Sequence, residues 1–217
     1  MSVPSPSAAQ VGASDPVQLA YRLIFLRHGE TDWNAAGRLQ GQRDTALNAK
    51  GRAQAGAAAR ICANVLPTSD DRQPPQLSMV ASPLLRACAT MAIVRAGLGL
   101  PEAPFATDDR LKEISFGDWE GMTWAEITRR FPRDAAARER DRWGFAPPGG
   151  ESYVEVAARV RTWLETLDGD TLVVAHGGIG RVLLYHLAGI DPESATSADI
   201  YQGRALDFQA GSGTWLG

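Results

Sequence analysis

With 217 residues, 44% of them hydrophobic, the chain is long enough to bury its own core as one globular domain with an insertion. A net charge of -3 excludes a global basic field for nucleic acid, and no run reaches the roughly 18 apolar residues of a membrane span. Lysine occurs only at Lys50 and Lys112, the rest of the 22 basic residues being arginine, so an arginine carries weight here only by its position.

The first twenty positions, rich in Ser, Pro, Ala and Gln, hold no basic residue and no continuous apolar stretch. They lack the pattern of a secretion signal and read as a disordered tail over 1–20 ahead of a domain over 21–217, which predicts a cytoplasmic protein. A largely apolar run over 21–26 predicts a buried strand, and it delivers Arg27-His28-Gly29-Glu30 to the loop that follows. Alanine-rich sequence over 49–65 predicts a helix, 67–75 a polar loop, and 77–81 a short strand. Ser82-Pro83 is then read as a helix start, serine as N-cap and proline at the first helical position, with Arg86 in the first turn and Gly97 as the stop. Ser152 and Glu155 have capping-box spacing, and Val154, Ala157, Val160, Leu164 and Leu167 recur at helical intervals. Asp168-Gly169-Asp170 breaks that helix before the strand 171–175, which runs into His176-Gly177-Gly178 and a helix over 178–187. Strands alternating with helices predict a three-layer α/β sandwich: a largely parallel central sheet with helices on both faces. From Asp191 onward no chemistry is legible. Cys62 and Cys88 lack disulfide or zinc spacing and read as buried reduced thiols.

Residues 113–150 break this rhythm. Arginine-rich from Arg129 to Arg142, they also carry Phe116, Trp119, Trp124, Phe131, Trp143 and Phe145. They read as a solvated insertion with a small aromatic core and, because long insertions in compact domains are often functional, as a lid.

The chain holds three histidines, and two of them, His28 and His176, end predicted strands. In open α/β sheets ligands bind outside the carboxyl ends of strands, so Arg27, His28, Arg86 and His176 converge on one rim. Two guanidiniums and two imidazoles suit a small dianion, and arginine's fork matches phosphate oxygens. His186, flanked by leucines, reads as a histidine near the core. Gly178-Ile179-Gly180 lacks the third glycine of a dinucleotide fingerprint, and the histidines have no carboxylate or thiol cluster at metal-ligand spacing. No cofactor and no metal are therefore expected.

Leu26-Arg27-His28-Gly29-Glu30-Thr31, Trp33-Asn34, Gly37-Arg38, Gly41 and Leu47-Asn48-Ala49-Lys50-Gly51 resemble the signature of the histidine phosphatase superfamily, the phosphoglycerate-mutase-like group. The match continues through Ser82-Pro83-Leu84-Leu85-Arg86-Ala87, Leu111-Lys112-Glu113-Ile114, Phe116-Gly117-Asp118-Trp119-Glu120-Gly121, Pro148-Gly149-Gly150-Glu151-Ser152 and Ala175-His176-Gly177-Gly178, in the family's order. The resemblance implies that His28 is the nucleophile that becomes phosphohistidine, and that Glu113 is general acid and then base. It implies that Arg27, Arg86, His176, Asn34 and Gly177 bind phosphoryl oxygens, with Gln40 a further candidate and Glu30 structural. Chemistry alone leaves Asp108, Asp109, Asp118 and Glu120 open beside Glu113. The expected activity is metal-independent hydrolysis of a small-molecule phosphomonoester. Alternatives are phosphoglycerate mutase-type transfer, a phosphoprotein phosphatase, and, outside enzymes, a phospho-ligand-binding module.

Overall fold

Leu23-Ile24-Phe25-Leu26 owes its unbroken apolar character to a place in mid-sheet, where both faces are covered. The computed structural model describes residues 17–66 and 77–217. In it β1 (Leu23–Arg27) lies between β4 (Thr171–Ala175), to which it is parallel, and β5 (Ala205–Gln209), to which it is antiparallel. Strand β2 (Ser78–Ala81) pairs in parallel with β4 and with the short β3 (Ala106–Thr107) at one edge. Antiparallel β6 (Ser212–Leu216) closes the other, giving the order β3-β2-β4-β1-β5-β6.

Side chains alternate across a strand, and the two faces feed two cores. Leu23, Phe25, Val173 and Ala175 pack under α6 (Tyr153–Leu164) and α7 (Gly177–Ala188), against Val156, Val160, Ile179 and Leu183. Ile24, Leu26, Leu172 and Val174 pack under α2 (Ala49–Val65) and α3 (Leu85–Gly97), against Ala58, Cys62, Met91 and Val94. The expected three-layer α/β sandwich is the fold.

Within 113–150, α4 (Trp124–Arg130) and α5 (Pro132–Arg140) enclose a third core of Trp119, Ile127 and Ala135, joined by Leu39, Phe116, Met122, Phe131 and Phe145. Trp143 leaves this group and stacks on Tyr153, centroids 5.6 Å apart at 12°, on the main core.

Four local readings change. Ser82 does not cap α3: Leu84, whose ψ of 137° keeps it extended, is the N-cap and α3 starts at Leu85. Gly97 is the last residue of α3, and the chain turns at Gly99, whose φ is +70°. Cys62 is buried, with its thiol pushed up to about 12 by burial, but Cys88 is only half-buried; both thiols are free. The segment after Asp191 holds α8 (Pro192–Ser197) and the β5–β6 hairpin, whose Ala210-Gly211 turn has positive φ at both residues, the twist that two-residue hairpins favour. Of the tail expected over 1–20, residues 1–16 lie outside the described residues. Val17 donates to the His186 carbonyl (2.8 Å), and Val17 and Leu19 pack on the core. The loop expected over 67–75 also lies outside the described residues. Among the described residues no helix is long and apolar enough to cross a membrane.

Candidate active site

Strand register assembles the site. Arg27 pairs with Ala175 across β1 and β4, so the next residues, His28 and His176, leave the sheet side by side. Their ring centroids are 5.1 Å apart, and both are buried. The neighbouring β2 ends at Ala81, and the Ser82 amide donates to the Val174 carbonyl (2.9 Å).

His28 is fixed at both ring nitrogens. Nδ1 lies 2.7 Å from the carbonyl oxygen of Gly29, and Nε2 accepts from Arg86 Nε at 3.2 Å. That pairing puts the proton on Nδ1 and the lone pair on Nε2. Gly29 permits the arrangement, since a Cβ there would stand 2.1 Å from the Gly51 carbonyl in the first turn of α2. The Gly29 amide donates to Thr90 Oγ1 (3.1 Å) on α3.

Arg86 is fully buried. Its remaining nitrogens donate to the carbonyls of Arg43 and Gly41, each at 2.8 Å, so its cation is held by neutral dipoles. Arg27 donates to the Ile200 carbonyl (2.8 Å), while its buried Nε has no hydrogen-bond partner among the described residues. His176 Nε2 is 2.7 Å from Ser82 Oγ, and its buried Nδ1 likewise has no partner among the described residues. Burial, then the nearby Arg86 and Arg27 cations, hold both histidines well below the usual imidazole range. The rings are therefore neutral at pH 7, and the positive field comes from the guanidiniums.

Glu113 closes the rim. Its Oε1 accepts from its neighbour's amide, Ile114 (3.0 Å), and from the Gly178 amide in the first turn of α7 (2.9 Å). Oε2 lies toward Gly177, where a Cβ would be 3.8 Å from it and 3.7 Å from the Arg27 guanidinium. The rival carboxylates are engaged elsewhere: Asp108 pairs with Arg110, Asp109 with Lys112 and Glu120 with Arg43. Asp118 is not among the groups against Gly177 and Gly178, where Glu113 is the carboxylate in contact.

Asn34 belongs to the short helix α1 (Asp32–Ala35), where it completes a capping box with Thr31. Its Oδ1 accepts from the Thr31 amide (3.2 Å) and from Gln202 Nε2 (3.3 Å). The oxygen is thus occupied and the amide nitrogen is the end left for an anion. Gln40 is buried with its Oε1 taken by the hydroxyls of Thr31 and Thr45. Glu30 holds Lys50 (2.7 Å) and Asn48 (3.1 Å), a loop clasp. His186 bonds the Ala157 carbonyl (2.9 Å) far down α7. The sequence reading missed Ser82 as a partner of His176, Gln202 as a partner of Asn34, and the Ile200 carbonyl under Arg27. Among the described residues no group of three or more His, Cys, Asp or Glu stands where it could hold a metal ion.

The family model of the histidine phosphatase superfamily (branch 1) matches residues 23–215. The chain belongs to that superfamily. It is 41% identical over 174 residues to the glucosyl-3-phosphoglycerate phosphatase of Mycobacterium tuberculosis, covering 74% of this chain and 72% of that one. It is 30% identical over 195 residues to a 2,3-bisphosphoglycerate-dependent phosphoglycerate mutase of Beijerinckia indica, covering 86% and 90%. The solved mycobacterial glucosyl-3-phosphoglycerate phosphatase complexed with VO3 superimposes with a TM-score of 0.73 at 35% identity, covering 91% of this chain and 98% of that one. Family and relatives place this chain among the phosphomonoesterase hydrolases.

Proposed function

We propose that this protein hydrolyses a small phosphomonoester, a phosphorylated sugar derivative, through a phosphohistidine on His28, without a metal. The observation that carries the reading is the state of His28: Nδ1 tied to the Gly29 carbonyl and Nε2 presented as an acceptor beside Arg86. A neutral imidazole whose lone pair carries no proton is a nucleophile at pH 7. In this reading Nε2 attacks phosphorus as the P–O bond to the leaving alcohol breaks, and the proton on Glu113 Oε2 passes to that alcohol. Water, deprotonated by Glu113, then attacks phosphorus and releases His28. Arg27 Nε, Arg86 and His176 Nδ1 donate to the phosphoryl oxygens, joined by the Asn34 amide and the Gly177 backbone. Such a loose transition state spreads charge over those oxygens, so fixed donors matter more than covalent help. The 113–150 insertion serves as a lid that carries Glu113 at its start. The choice of substrate class rests on the phosphatase relatives, which act on a sugar-linked phosphoglycerate.

Phosphate release from a panel of phosphosugars, phosphoglycerates and an aryl phosphate, in excess EDTA, tests this. Wild type is expected to turn over and His28→Ala to lose activity by at least about 1000-fold. Radiolabelled substrate should leave an acid-labile, alkali-stable phosphoryl group on wild type alone. Turnover by His28→Ala at the wild-type rate sinks the proposal. Transfer to a phosphoglycerate rather than to water would point to the mutase reading, which the Beijerinckia relative keeps open.

A further inference from the structure

The Pro-Gly-Gly-Glu-Ser motif takes no part in the chemistry above, yet its glutamate reaches the strand-end loop that presents Glu113. Glu151 and Arg159 of α6 form a two-point ion pair, Nε to Oε1 at 3.0 Å and Nη2 to Oε2 at 3.1 Å. Both side chains are mostly buried, at 19% and 25% exposure for Arg159 and Glu151. The further side-chain bonds of the pair among the described residues run to the backbone around Glu113 and to Gln42, which itself bonds the Glu113 carbonyl. Arg159 donates to the carbonyls of Arg110 (2.5 Å) and Glu113 (3.3 Å), and Glu151 Oε2 accepts from the Ser115 amide (2.9 Å). Gln42 Nε2 bridges the Glu113 carbonyl (3.2 Å) and Glu151 Oε2 (3.4 Å). The backbone is thus gripped three residues before Glu113, at Glu113 itself, and two residues after it. Capping of α6 does not need Glu151, because Ser152 and Glu155 already form the capping box there.

We infer that the Glu151–Arg159 pair is a positioning clasp, which holds the Glu113 carboxyl where its proton meets the leaving oxygen. The inference rests on Glu113 being the proton donor. A clasp that acts through a general acid has a signature that a general support does not. Its loss should matter where the departing oxygen needs a proton, and little where the leaving group departs as a stable anion. Hydrolysis kcat/KM reports the step that forms phosphohistidine and leaves out the later water attack.

The experiment measures kcat/KM for esters ranging from acidic nitrophenols to sugar alcohols, in wild type, Glu113→Gln, Glu151→Gln and Arg159→Lys. Glu113→Gln should lose about 100-fold or more on the alcohol esters and far less on nitrophenyl phosphate. Both clasp variants should show the same tilt at smaller size, about 10-fold or more on alcohol esters, and stay within about 3-fold of wild type on nitrophenyl phosphate. Retained nitrophenyl activity also shows that the variants fold. Equal losses on both ester classes, or no loss on either, overturn the clasp while leaving the acid in place. A flat response of Glu113→Gln to the leaving group overturns the acid itself, and the clasp with it.

Discussion

Ser82 and His176 show how one hydroxyl sets the state of a ring. Ser82 Oγ accepts from the Leu84 amide at 3.3 Å, so its own proton is available to His176 Nε2. That leaves the ring's proton on Nδ1, the atom assigned to a phosphoryl oxygen. Ser82→Ala is expected to lower kcat/KM by roughly 10- to 100-fold, as loss of an orienting outer partner does elsewhere, with the melting temperature measured alongside to separate folding from function. The burial that keeps both histidines neutral also has a pH consequence. Their folded pKa values lie below the unfolded one of about 6.5, so the unfolded chain binds more protons as pH falls through that value. Stability is therefore full above about pH 6.5 and is lost on acidification through it. Ring resonances of His28 and His176 should keep neutral-form shifts at about pH 6, and a midpoint near 6.5 would contradict the burial argument.

At the scale of elements, α7 meets Glu113 through Gly178, where a Cβ would stand 2.4 Å from Oε1. Gly178→Ala should improve the helix by up to about 1 kcal/mol by propensity yet displace the carboxyl. The expected outcome is a loss of roughly 100-fold on alcohol esters without loss of helicity by circular dichroism. Arg27, His28, Arg86 and His176 were legible from the chain because each follows a strand pattern that dictates where it emerges. Glu113 was legible only through its motif, and its contact with Gly178 is what separates it from the neighbouring carboxylates. Ser82 misled because Ser-Pro is a local signal for a cap, whereas its actual partner lies 94 positions away. The Ile200 carbonyl had no side-chain signature at all, and the capping role of Asn34 shares one side chain with its expected phosphate contact.

For the molecule as a whole, the third core around Trp119 shares no fully buried residue with the two that cover the sheet and meets the main one through Phe116. Trp119→Ala removes its largest buried ring, a change that costs about 3–5 kcal/mol in a well-packed core. Hydrogen exchange should then show α4 and α5 losing protection while β1 and β4 keep theirs. Equal loss across the sheet would mean that the insertion is integral to the main core. Its aromatic content was readable in the sequence, and Trp143 was the exception because the rings it touches, Tyr153 and Tyr185, lie on α6 and α7.

The parallel pairing of β1 with β4 joins residues separated by nearly 150 positions in the chain. Non-local pairing of this kind forms late, because loop closure precedes any contact energy. The two histidines therefore come together only when this long-range ladder forms. During refolding, helical circular dichroism should recover ahead of phosphatase competence, which makes the return of turnover a clock for the pairing of β1 with β4.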